Sequence, residues 1–146
     1  MIPPFDVRGN LPPGIHEVDW DELQTRFSGS PRRVELLAGL REALVALRDG
    51  GCRTAYIDGS FVTAKEDPGD FDVCWDAVGV EASLLDPALL DLAPPRTAQK
   101  ERFGGELFPA NAQAGSRSGA LFLDFFQHDR NGEQKGIIQI DLEGIA

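Results

Sequence analysis

Sulfur and imidazole are scarce in this sequence, which has two cysteines, one methionine and two histidines among 146 residues. Cys52 and Cys74 stand alone, with no Cys-x-x-Cys or Cys/His spacing, which argues against a disulfide framework and against a thiolate zinc site. Long apolar runs are missing too. None approaches the roughly 18–20 residues of a membrane-spanning helix. The opening MIPPFDVRGNLPPG has two proline pairs and no apolar stretch of the kind a secretory signal needs. The expectation is a cytoplasmic protein with reduced thiols and no membrane contact. Positive charge is also short. The chain has 14 basic against 24 acidic residues and a formal net charge of −10. Broad nucleic-acid binders neutralise phosphates with a basic surface, and a field of this sign repels a polyanion. A local basic pocket is not excluded by that argument. What is present is an apolar fraction of 42 %, enough for the core of one domain.

Residues 1–17 hold four prolines and two glycines and read as an irregular arm laid over a single domain, 18–146. A short helix is expected at about 19–27, with Asp19 as cap, Glu22 three residues later as in a capping box, and Val18 stapled onto Leu23. A longer helix should run over about 31–49. Ser30 suits the N-cap and Pro31 the first helical position, and Leu37, Leu40, Leu44 and Leu47 recur at helical spacing before Gly50-Gly51. Residues 53–58 and 70–76 read as strands. In the second, Phe71, Val73 and Trp75 point one way and Asp70, Asp72, Cys74 and Asp76 the other. Helical pieces broken by Pro87 and Pro94-Pro95 are expected in 82–103, and a long loop in 104–119.

At the C-terminus, ALFLDFFQHD and EQKGIIQIDL flank Asn131-Gly132, a type I′ hairpin pair. A turn centred there sets Phe125 against Ile138, Leu123 against Ile140 and Leu121 against Leu142 on an apolar face. Asp124 and Asp141 then share the more polar face. The expected architecture is α/β (α+β), a small mixed sheet flanked by helices and completed by this C-terminal hairpin.

The stretch YIDGSFVTAKEDPGDFDVCW, residues 56–75, carries the chemistry. A strand ends at Asp58 and Gly59-Ser60 follow. Nine residues then separate Ser60 from Asp70, with Asp72 two places on, facing the same way. Carboxylates at i and i+2 of a strand stand roughly 6–7 Å apart at Cα, close enough to converge on shared divalent cations. Two such ions hold the attacking and leaving oxygens in many phosphoryl transfers. Gly59 lets backbone approach a phosphate, and a helix starting near Ser60 would offer it free N–H groups. A phosphate cradle facing a metal-binding pair is the minimum apparatus for nucleotidyl transfer.

This string resembles the polymerase-β-like nucleotidyltransferase superfamily. The signature there is a hydrophobic strand, Gly-Ser or Gly-Gly, a spacer, then Asp-hydrophobic-Asp. Here it reads Ile57, Gly59-Ser60, nine residues, and Asp70-Phe71-Asp72-Val73. The likeness is strongest to the minimal type, whose core stands alone, and to small bacterial proteins carrying DGSF…GDFDVCW. The resemblance implies phosphate contacts from Gly59 and Ser60, and Mg²⁺ or Mn²⁺ held by Asp70 and Asp72. It also implies a third carboxylate from a later strand, for which Asp124 is the first choice and Asp141 the second. A nucleoside triphosphate is then the donor substrate, and a hydroxyl of a protein, a small molecule or a tRNA end the acceptor. An antitoxin-like or target protein would be the partner, as in bacterial toxin–antitoxin or defence pairs. Two positions depart from the pattern. Asp58 stands where the superfamily usually has an apolar or aromatic residue. Lys65 is the nearest basic residue where an Arg often follows Gly-Ser.

Outside that stretch, Arg96, Lys100 and Arg102 form a basic cluster, with Lys100 the candidate for neutralising a triphosphate. Arg32 and Arg33 read as surface residues at a helix start, Cys74 as a packing residue, and His16 and His128 as uninvolved in chemistry. The alternative to an enzyme is a catalytically inactive module of the same fold that binds a nucleotide or a protein partner.

Overall fold

The computed structural model describes residues 2–111, 121–128 and 131–145. Its frame is one mixed five-stranded sheet in the order β1-β5-β2-β3-β4. The strands are β1 (Gly14–Val18), β2 (Thr54–Asp58), β3 (Phe71–Trp75), β4 (Gly105–Pro109) and β5 (Gly136–Asp141). β1 runs parallel to β5 and β4 parallel to β3, while β2 is antiparallel to both of its neighbours. Four α-helices accompany the sheet among the described residues: α1 (Trp20–Phe27), α2 (Pro31–Asp49), α3 (Thr97–Phe103) and α4 (Phe122–Phe126). The fold is thus the expected α+β mixed sheet with flanking helices. None of these helices is long and apolar enough to cross a membrane.

The first two helices start where side chains can cap them. Asp19 accepts from the Glu22 N–H at 2.8 Å, and Ser30 Oγ accepts from the Arg33 N–H at 3.2 Å with Pro31 at the first turn. Each satisfies a backbone donor that a helix start leaves free. The inward stripe of α2 (Leu36, Leu37, Leu40, Leu44 and Leu47) is buried with Ile57, Val73, Leu107 and Ile138 of the sheet in one core. The opposite sheet face has its own smaller core, in which Cys74, Phe108 and Ile137 pack with Phe122 and Phe126 of α4. The Phe108 and Phe122 rings stack at 4.2 Å. Both cysteines are free and buried, with no disulfide between them.

Two expectations fail, and for one shared reason. The C-terminal hairpin does not form: the segment read as its first strand holds α4, and β5 pairs with β2 on one side and β1 on the other. The slot reserved for 121–126 is taken by Gly14–Val18, whose first four residues fell in the arm read as irregular. A strand has two edges, and β5 has filled both. The apolar run 121–126 then satisfies itself with helical spacing, burying Phe122 and Phe126 one turn apart and leaving Leu121 and Phe125 exposed. A remnant of the hairpin survives as a bridge from His128 to Gln134, shifted one residue from the expected register, with Lys135 N–H donating to Gln127 O. The tip at 129–130 lies outside the described residues.

In the rest of the arm, Ile2 and Leu11 are buried. The loop expected over 104–119 is shortened from its start by β4; 112–119 lie outside the described residues.

Candidate functional site

Side-chain alternation along the three strands β2, β3 and β4 brings carboxylates into one row. Register pairs Asp58 with Asp72 and Asp72 with Glu106, so one acid from each strand stands side by side on the face that α4 only partly covers. Asp70, just before β3, adds a fourth. Carboxylate oxygens of Asp70, Asp72 and Glu106 all lie within 4.8 Å of one another, a set that could hold a divalent cation.

Crowding like charges in a half-buried place makes ionisation costly. Burial, reinforced by Asp70, Asp58 and Glu106, pushes the Asp72 carboxyl up to about 7. Asp70 is raised by burial and by Glu106, against the pull of Lys100, Arg32 and Lys65. Asp58 is raised by burial, although Lys135 and the Gly59 N–H both favour its charge. A site with this excess of negative charge suits a cation, and its donors are the hard oxygens that Mg²⁺ and Mn²⁺ take.

Gly59 has φ 84°, a left-handed conformation open to glycine. A Cβ there would also come within 2.9 Å of Asp72 Oδ2 and 3.3 Å of the Asp72 amide nitrogen. Glycine thus lets the turn close directly onto the acidic pair. A single turn of 3₁₀ helix follows over Ser60–Val62. The turn and the acids border a cleft of about 980 Å³, lined by Gly59, Ser60, Lys65, Asp70 and Asp72. Phe125, His128 and Lys135 line it as well.

The loop from Phe61 to Gly69 is held by the start of α2. Arg33, only 5 % exposed, donates to the carbonyls of Phe61 at 2.6 Å, Thr63 at 2.7 Å and Lys65 at 2.6 Å. Its guanidinium also lies over the Phe27 and Phe61 rings. Arg32 donates to the carbonyls of Pro68 and Gly69, next to Asp70, and Ser30 to that of Glu66. Arg33 is therefore not the surface residue its place at a helix start suggests, while Arg32 remains part exposed and also pairs with Glu35. A Pro-Arg-Arg helix start carries no local sign of a loop waiting to be gripped.

The expected site residues divide. Gly59, Ser60, Lys65, Asp70 and Asp72 come together at one cleft. Asp124 and Asp141 do not join them. Asp124 sits exposed on α4, on the wall of a second cavity of about 450 Å³. Asp141 lies opposite Thr54, at the far end of β2 from Asp58, and caps the Glu143 N–H. The third carboxylate of the cluster is Glu106, which stands on β4 where a loop is expected from the sequence.

Lys100 is also displaced from its expected part. Its Nζ lies 3.4 Å from Glu106 Oε1, while Arg96 holds Oε2 at 2.8 Å. Gln99, fully buried, completes the support by bonding both backbone groups of Leu107, at 2.8 and 2.9 Å. Lys135 was missed as well: its Nζ lies 2.8 Å from Asp58 Oδ1. The departure at position 58 is thus a carboxylate carrying its own counter-ion. A polar residue at the end of a buried strand was the signal that it needed one.

No curated protein and no solved structure matches this chain. Its sequence does match a family over residues 3–141, nearly its whole length, and the chain belongs to that family of unknown function, DUF6932.

Proposed function

We propose that this protein is a divalent-cation-dependent nucleotidyltransferase. The observation that carries the reading is the convergence of Asp70, Asp72 and Glu106 within 4.8 Å, with the tight Gly59-Ser60 turn closed against Asp72 and lining the same cleft as Asp70 and Asp72. Asp70, Asp72 and Glu106 would hold Mg²⁺ or Mn²⁺. The cation supplies neutralisation of the phosphates and of the charge that develops during transfer.

The chain's own groups do the positioning. Gly59 and Ser60 bring backbone against the phosphate chain, and Lys65 adds positive charge at the mouth. A carboxylate of the row takes the proton of the acceptor hydroxyl. That oxygen bonds to the α-phosphorus as the bond to pyrophosphate breaks. The net charge of −10 favours a protein or small-molecule acceptor over a long nucleic acid, with a tRNA end still small enough to enter. The setting in this reading is cytoplasmic, and an antitoxin-like or target protein is the partner to seek.

One observation favours a non-catalytic module instead. Glu106 is already paired with Arg96 and Lys100, so a third ligand is available only if those contacts rearrange. Incubation with α-labelled nucleoside triphosphates, Mg²⁺ and candidate acceptors separates the two. Transfer of label, abolished in the Asp70→Ala/Asp72→Ala double variant, supports the enzyme. Cation-dependent nucleotide binding without pyrophosphate release supports the module, and no binding at all overturns both.

A further inference from the structure

Lys135 is more than the counter-ion of a buried acid. It lies just before β5 with its backbone fixed on both sides: its N–H donates to Gln127 O at 2.9 Å, and the next N–H, of Gly136, donates to Leu11 O at 3.0 Å. Its side chain is 16 % exposed and its ion pair, among the described residues, is with Asp58 alone. An ammonium has three N–H donors. Asp58 Oδ1, at 2.8 Å, is its ion-pair partner and leaves donors for a ligand.

Where the ammonium stands matters as much. The main cleft is bordered by two lysines, Lys65 and Lys135. Lys65 is exposed, and its long stem must be ordered before it can grip a ligand. Lys135 is already ordered by Asp58, so little further entropy is lost on contact. It also borders the second cavity, a position that it shares, among the described residues, only with His128. Asp70 and Asp72, at the start of β3, and Lys135, just before β5, thus line the same cleft, with Asp58 of β2 between them.

We infer that Lys135 contacts the phosphate chain of the substrate directly and that Asp58 is the residue that positions it. This rests on the nucleotidyltransferase reading for the identity of the anion. The ligand chemistry is that of a linear polyphosphate, whose charge a cation held by the acids would help to neutralise while Lys135 holds part of the chain.

The test separates this role from simple neutralisation. Inorganic tripolyphosphate is titrated calorimetrically, with Mn²⁺ present, into the wild type, Lys135→Met and the Asp58→Val/Lys135→Met double variant, and Mn²⁺ alone and the melting temperature are measured for each. The single variant leaves Asp58 buried without a partner and should melt lower. The double variant removes both charges and should recover the melting temperature. Both should bind tripolyphosphate at least about tenfold more weakly, the worth of a lost charged hydrogen bond, while Mn²⁺ alone binds within a few-fold of wild type. Lys135→Arg keeps the charge and should bind tripolyphosphate more tightly than Lys135→Met. A double variant that binds tripolyphosphate as the wild type does overturns this inference and leaves the cation site standing, as does equal loss in the Arg and Met variants. A wild type that binds Mn²⁺ but no tripolyphosphate overturns the nucleotidyltransferase reading along with it.

Discussion

The same three strands build two unlike faces. On one, Ile57, Val73 and Leu107 are buried with the leucines of α2 in an apolar layer. On the other, their immediate sequence neighbours, Asp58, Asp72 and Glu106, stand in a row at the edge of the small aromatic core under α4. Alternation at a period of two places the groups that hold the fold and the groups that strain it one residue apart. The first face supplies the stability that lets the second keep like charges crowded together.

Perturbing each face should give effects of opposite sign. Leu44→Ala, fully buried in α2, should destabilise by about 2–5 kcal/mol through lost burial and a cavity. The folded fraction should bind Mn²⁺ as before. A denaturant titration paired with a Mn²⁺ titration checks both points.

Asp72→Asn should do the reverse, stabilising the cation-free protein at pH 8 by roughly 2–4 kcal/mol. The sign follows from the raised carboxyl. With its folded value about 7, above the ordinary 3.8, Asp72 binds a proton more tightly in the folded state. The stability linked to that proton is complete below the ordinary value and lost as pH rises through about 7. Cation-free wild type should therefore melt lower at pH 8 than at pH 5, and added Mn²⁺ should raise the melting temperature more at pH 8. A flat pH profile would show that the row is not crowded in solution.

Gly59→Ala sits where the faces meet, and should cost about 1–3 kcal/mol from the left-handed backbone alone. The new methyl, against Asp72 Oδ2, should also weaken Mn²⁺ binding in the folded protein. Phe125→Ala changes a ring that is 56 % exposed at the cleft rim. It should shift stability by less than about 0.5 kcal/mol and leave Mn²⁺ binding unchanged, which differential scanning calorimetry and the same titration would check.

What the sequence disclosed follows from distance along the chain. The turn at Gly59-Ser60 and the acids Asp70 and Asp72 lie within one strand–turn–strand unit, so spacing and alternation place them together without help from elsewhere. Glu106 reaches Asp72 through a parallel pairing across more than a strand's worth of helix and turn, and nothing local in GELFP announces it. Gly105 shows how close that pairing is: a Cβ there would meet Phe71 O at 2.3 Å. The hairpin was misread because Asn131-Gly132 is a strong local turn signal, whereas the rival claim on β5 comes from Gly14–Val18, more than a hundred residues away. Arg33 escaped notice for a related reason, since its three acceptors belong to a loop whose course only the fold determines.

The measurement that bears most directly on the central claim is Mn²⁺ binding followed by electron paramagnetic resonance in the wild type and in Asp70→Ala/Asp72→Ala. Saturable binding in the wild type, lost in a double variant that melts at least as high without cation, is the predicted result. Equal binding in the two proteins, or none in the wild type, would contradict it.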